Sequence, residues 1–171
     1  MMKQMNRALQ IKTIKKAYDI LLFNKIDTFP IDSVKIATCF GFILKCDYNI
    51  KALTLFDEKT NKYAIIFNPN NDDMLFSVAH ELGHIFMGHF RDGNLVKMGE
   101  AKGKYAFYEE QADLFAYCLL FPFHILRVNS NLAIGGLEDI KKTAIQISLN
   151  SSFIELNGIE EKILALFKVS I

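Results

Sequence analysis

The stretch Phe76-Ser77-Val78-Ala79-His80-Glu81-Leu82-Gly83-His84-Ile85-Phe86 decides how the rest of the chain is read. In an α-helix, positions four apart share a face, so the imidazoles of His80 and His84 can reach one metal ion. Zinc suits such nitrogen ligands, and a catalytic zinc site keeps one coordination position open for water. Glu81 follows the first histidine and can turn toward that position, as the general base of an H-E-x-x-H helix does. Four His and nine Glu among 171 residues give this spacing by chance in roughly one chain in two hundred. The surroundings argue further against chance. Ser77, Val78, Ala79, Ile85 and Phe86 are small or apolar and bury the helix, while Gly83 leaves room for a close neighbour. Together these features imply a metal-dependent hydrolase, with peptide hydrolysis the leading reaction.

A third ligand must come from elsewhere. One known pattern puts a glycine three and a histidine six positions after the second ligand, but Met87 and Phe90 stand there. His89, five after His84, turns off the ligand face in a continuous helix and reads as a polar helix-end residue. The segment Tyr108-Glu109-Glu110-Gln111-Ala112-Asp113-Leu114-Phe115-Ala116 offers more. It reads as a helix ending near Pro122. Glu109, Ala112, Asp113, Ala116 and Leu120 share a face that pairs two carboxylates one turn apart with residues small enough for close helix packing. Glu109 is therefore the favoured third ligand, with Asp113 accepting the N–H of a ligand histidine and so fixing its tautomer. Glu110 is the rival. Taken alone, both glutamates would read as acidic residues favourably placed at a helix start.

The two segments together resemble the ImmA/IrrE family of zinc metallopeptidases. The similarity rests on Phe76 to His84, on Glu109-Glu110-Gln111-Ala112-Asp113-Leu114-Phe115-Ala116, and on the closing Leu119-Leu120-Phe121-Pro122. Phe29-Pro30-Ile31-Asp32 through Ile36-Ala37 to Gly41-Phe42 resembles the family's lead-in, so the likeness covers about residues 28 to 122. It implies that His80, His84 and Glu109 bind Zn2+ and that Glu81 is the catalytic base. Asp113 stands where the family usually has Asn or Asp. The chain departs from the family at Asp72-Asp73-Met74-Leu75, where an arginine is common. The resemblance also implies a protein substrate on a separate chain, a transcriptional repressor of a phage or mobile element or another regulator, and in some cases an antitoxin-like partner.

Composition sets outer bounds. A chain of 171 residues with 51% apolar content is read as one metallopeptidase domain, residues 1–171, long enough to bury a core. Its catalytic part is expected at about 28–122 and a helical C-terminal part at about 123–171. A formal charge of +1 gives no electrostatic case for direct nucleic-acid binding. Lys12, Lys15 and Lys16 read as the solvated face of a helix. Cys39, Cys46 and Cys118 form no disulfide framework and fit a reducing cytoplasm. Cys39 or Cys46 as a metal ligand would parallel the peptide deformylases, whose glycine-rich surroundings are missing here. The start reads as an amphipathic stretch rather than a signal peptide, and the apolar run from Leu114 to Leu126 is too short to span a bilayer. The expectation is a cytoplasmic protein with no membrane partner.

Along the chain, Lys3 to Phe23 reads as an amphipathic helix ended by Asn24. Pro30 opens a shorter helix that Gly41 closes. Phe42 to Tyr48, Ala52 to Asp57 and Lys62 to Phe67 read as strands, the last two a hairpin across Asp57-Glu58-Lys59-Thr60-Asn61. Asp72 or Asp73 is the expected cap of the metal helix. Gly93 to Gly103 reads as a loop bordering the cleft. Leu137 to Leu149 and a segment from Ser151 or Ser152 to Phe167 read as helices that cover the core or dock a partner. The expected fold is α+β and zincin-like: a small three-stranded sheet beside several helices, with the metal held between two central helices. Lys62 to Phe67 is the expected sheet edge for an extended substrate. Tyr105, Tyr108, His89 and His124 are open choices for stabilising the oxyanion. The competing reading is a zinc-containing protein that regulates a repressor or antitoxin-like partner by binding without cleavage. Glu81 argues against it, since a purely structural zinc site has no use for that carboxylate.

Overall fold

A computed structural model describes residues 5–90, 102–128, 137–150, 156 and 158–168. Helix α1 (Arg7–Phe23) begins at Asn6, whose side-chain oxygen accepts the Leu9 N–H at 3.0 Å. That cap is the physical reason the helix starts at Arg7 rather than at Lys3. Asp32 caps α2 (Ser33–Cys39) in the same way, through the Lys35 N–H. Strands β1 (Ile43–Cys46), β2 (Ala52–Asp57) and β3 (Lys62–Phe67) follow, then α3 (Met74–Phe86), α4 (Lys102–Leu120), α5 (Phe123–Val128), α6 (Glu138–Asn150) and α7 (Ile159–Leu166). The architecture is α+β, as expected from the sequence. The expected loop from Gly93 and the Ser151 or Ser152 cap lie outside the described residues, except that 102 and 103 already belong to α4.

The strand order corrects one expectation. The sheet runs β1-β3-β2, with β1 parallel and β2 antiparallel to β3. Lys62 to Phe67 is therefore the middle strand and has no free edge. The β2–β3 hairpin forms across the expected turn, where the Asp57 carboxylate accepts from the Lys59 N–H and the Thr60 hydroxyl. Pairing of β1 with the far side of β3 then leaves β1 and β2 as the edges. Ile65 and Phe67 of β3 are buried, while Leu53 and Leu55 of β2 are exposed on the opposite face.

The core lies among the helices. Tyr18 and Leu21 of α1 and Phe115 and Leu119 of α4 are buried and belong to one cluster that also takes in Ala79 and Leu82 of α3. The buried Tyr18 hydroxyl accepts the Phe123 N–H at 2.8 Å, tying α1 to the start of α5. The lysines of α1 are exposed, with Lys15 paired to Asp19. Among the described residues, no helix is long and apolar enough to cross a membrane.

Helices α3 and α4 approach each other at Gly83. A Cβ built there would stand 2.9 Å from the Ala112 Cα and 3.0 Å from its carbonyl oxygen, both backbone atoms that cannot rotate away. Glycine is thus what lets the two helices meet. Gly83→Ala should destabilise the protein by about 1–3 kcal/mol despite alanine's higher helix propensity, because overpacking forces the helices apart. Chemical denaturation measures this, and unchanged or raised stability would refute it.

Candidate metal centre

Helix α3 carries His80, Glu81 and His84, and α4 carries Glu109, Glu110 and Asp113. Packing across Gly83 brings the two rows together. Glu109 Oε2 lies 3.2 Å from His80 Nε2, and Glu109 Oε1 lies 3.2 Å from His84 Nε2. The two Nε2 atoms are 3.0 Å apart. One ligand atom from each of the three residues falls within 4.8 Å of the others, and among the described residues this is the only such group of His, Cys, Asp or Glu. Glu110 is not in it. Cys39 and Cys46 are exposed and Cys118 is buried, all outside the group.

The two histidines are held differently. His80 Nδ1 donates to Asp113 Oδ1 at 2.8 Å. His84 Nδ1 faces His89 Nδ1 at 2.8 Å, and His89 Nε2 donates to Gln111 Oε1 at 3.0 Å. His89 is thus not a polar helix-end residue but a buried one, 2% exposed. The cause is the end of α3. The helix stops at Phe86, Gly88 takes a left-handed φ of 78°, and the His89 N–H bonds back to the His84 carbonyl while Gly88 N–H bonds to Ile85. This glycine-closed helix end folds His89 under His84. Gly88 was the available signal, as a helix stop two residues beyond Phe86. Gln111, also buried, had no signal, since beside Glu109, Glu110 and Asp113 it reads as one more polar residue of the same helix.

Charge in the cluster is finely opposed. Burial works against a charge on His80, but its hydrogen bonds to the Asp113 and Glu109 carboxylates outweigh this and raise its pKa to about 9. Burial likewise opposes ionisation of Glu109, yet its contacts with the imidazoles, above all the hydrogen bond from His80, hold its carboxyl well below the usual range. His89, with no carboxylate bonded to it, is pulled down to about 4 by burial.

A cleft of about 680 Å³ opens onto this cluster. Its walls include Lys51 to Phe56 along β2, and His80, Glu81, His84, Glu109 and Asp113. The strand bordering the cleft is therefore β2, an edge strand. Asp73 occupies the N-cap position of α3 as expected, but its carboxylate turns to Lys51 and makes no cap hydrogen bond, with Lys51 Nζ 2.6 Å away. Among the candidate oxyanion donors, Tyr108 stacks on His89 with ring centroids 4.4 Å apart, and the His124 ring meets the Tyr18 hydroxyl. Neither they nor His89 line the cleft. The Tyr105 side chain lies outside those described.

The model of the IrrE N-terminal-like domain family, Peptidase_M78, matches residues 42–170. The chain belongs to this family. Membership in Peptidase_M78 places it with the ImmA/IrrE proteins and supports a metallopeptidase, and the donor cluster between α3 and α4 lies within the matched residues. No curated protein matches the chain. Helices α1 and α2 precede the matched region, so the Peptidase_M78 match begins just before β1.

Proposed function

We propose that this protein is a zinc-dependent endopeptidase that cleaves a regulatory protein, such as a transcriptional repressor of a phage or mobile element. The observation that carries the reading is the convergence of two imidazole nitrogens and one carboxylate in the lining of a cleft that Glu81 also lines. Two nitrogens and one oxygen are a donor set suited to catalytic zinc, and three protein donors leave a position for water. In this reading His80, His84 and Glu109 hold the ion, which supplies Lewis-acid polarisation of a carbonyl and a water acidified toward neutral pH. Glu81 takes the water's proton and returns it to the leaving amine. Asp113 keeps the His80 ring turned with Nε2 toward the cluster.

The substrate is an extended segment laid along the free edge of β2, adding backbone hydrogen bonds to Lys51 to Phe56. Support comes from the position of that edge as one wall of the cleft. The partner regulator is a separate chain, and the protein acts in the cytoplasm on that one target. The decisive experiment loads the purified protein with zinc and profiles cleavage of a degenerate peptide library by mass spectrometry. Cleavage should be lost on zinc removal and weakened by N-methylation of backbone amides flanking the scissile bond. Zinc bound without any cleavage would favour the non-cleaving, partner-binding alternative.

Proton and zinc compete at His80, and the sign follows from its raised pKa. In the metal-free protein the stability from charged His80 is full below its ordinary 6.5 and is lost as pH rises through about 9. Zinc needs the neutral ring, so over that window its apparent affinity should rise about tenfold per pH unit for one displaced proton. Melting temperatures with chelator should therefore fall from pH 6.5 toward 9, while the zinc-induced increment grows. A zinc increment that is flat with pH would contradict this.

A further inference from the structure

A line of buried hydrogen bonds runs from the metal cluster into α1. His84 Nδ1 meets His89 Nδ1 at 2.8 Å, His89 Nε2 meets Gln111 Oε1 at 3.0 Å, and Gln111 Nε2 meets Thr13 Oγ1 at 3.0 Å. Thr13 Oγ1 ends the line on the Leu9 carbonyl at 2.9 Å. Thr13, His84, His89 and Gln111 are all buried, so water cannot substitute for these partners.

The last member sets the direction of all the others. A backbone carbonyl can only accept, so the single hydroxyl proton of Thr13 goes to Leu9. Thr13 Oγ1 must then accept from Gln111, which turns the amide N–H2 to Thr13 and its oxygen to His89. That oxygen can only accept, so His89 carries a proton on Nε2. The two His89 nitrogens face an imidazole and an amide, neither supplying the negative charge that a buried imidazolium requires. His89 Nδ1 is therefore a bare acceptor, and the proton between the rings belongs to His84 Nδ1. When His84 is neutral, its Nε2 is left with a free lone pair directed at the cluster. There it meets His80 Nε2 at 3.0 Å, whose proton it can accept, and Glu109 Oε1 at 3.2 Å, an acceptor against an acceptor; a shared cation in place of that proton satisfies all three.

We propose that His89, Gln111 and Thr13 are positioning residues that commit His84 to the metal-binding tautomer, with the direction imposed from the Leu9 carbonyl of α1. The two ring-orienting devices are unlike: a carboxylate, Asp113, for His80, and a neutral relay for His84. The relay also makes α1, which lies outside the family match, part of the metal centre's support.

The proposal rests on His84 being a zinc ligand, but its first test needs no zinc. Nitrogen-15 NMR of the imidazoles in the metal-free protein, in mildly alkaline buffer, should show His84 protonated on Nδ1 and His89 on Nε2. A His84 proton on Nε2 overturns the proposal, whatever the protein does with zinc or peptides. Zinc affinity, measured by competition with a chromophoric chelator, gives the second test. His89→Phe should weaken zinc about 10–100-fold, the usual range for partners of ligand histidines. Thr13→Val, which leaves every residue touching the metal in place, should weaken it about threefold to tenfold, and Thr13→Ser should restore it. Unchanged affinity in Thr13→Val and His89→Phe overturns the proposal. If His89→Phe fails to fold, the spectrum of the unmodified protein and the Thr13 pair decide. Absence of zinc binding by the unmodified protein counts against the peptidase reading, and the tautomer spectrum still judges the relay.

Discussion

Glu81→Gln should reduce peptide cleavage about 10²–10⁴-fold, the span associated with a positioned general base, while the protein keeps its zinc. Glu81 lies between the two histidines on α3 and lines the cleft, but it is not in the group of three converging donors. Glutamine matches it in size and can still hydrogen-bond, but it cannot accept and return a proton. Loss of turnover with unchanged metal content separates proton transfer from metal binding. The measurement pairs metal analysis with the peptide-library assay, with melting temperature as the check on folding. Turnover within a few-fold of the unmodified protein would remove Glu81 from the chemistry and reopen the choice of base.

The second large effect is on metal content. Glu109→Ala should lower zinc affinity by more than about 100-fold, beyond the range set by partners of ligands. Glu110→Ala should leave it within a few-fold. The contrast follows from helix geometry: successive residues are rotated by about 100° around α4, so only one of the two carboxylates can face α3. Glu109 is that one, 3.2 Å from each Nε2, and Glu110 is outside the cluster. Equilibrium competition with a chelator reads both variants. Zinc lost from Glu110→Ala and kept by Glu109→Ala would show that the helix packs in a different rotation. Zinc kept by both would move the third ligand elsewhere.

The elements differ in how much of their structure is local to the sequence. The hairpin was legible because its turn chemistry and strand lengths are local. The order of the sheet was not. Lys62-Tyr63-Ala64-Ile65-Ile66-Phe67 reads as almost continuously apolar, the pattern of a strand covered on both sides, whereas Ala52 to Asp57 leaves Leu53 and Leu55 exposed on one face. That contrast hints at a central β3 and an edge β2. Proximity to α3 along the chain pointed the other way, and the parallel pairing of β1 decided the matter. His89 departs from its expected place at a polar helix end for a related reason. Spacing along an unbroken helix puts it off the ligand face, but α3 ends at Phe86 and Gly88 returns the chain under His84.

The sequence by itself determined everything that depends on one helix at a time. It placed His80, Glu81 and His84 along one helix, and Glu109 and Asp113 on one face of another, because a period of 3.6 residues is a property of local backbone geometry. Only the tertiary structure decided what crosses between elements. The meeting of Glu109 with the two histidines depends on α3 and α4 touching at Gly83 and Ala112. The cleft wall depends on which strand is left unpaired, and the hydrogen-bond relay joins residues as far apart as Thr13 and Gln111. Such contacts carry no short-range signature, since their residues become neighbours only when burial of the shared apolar core brings α1, α3 and α4 together.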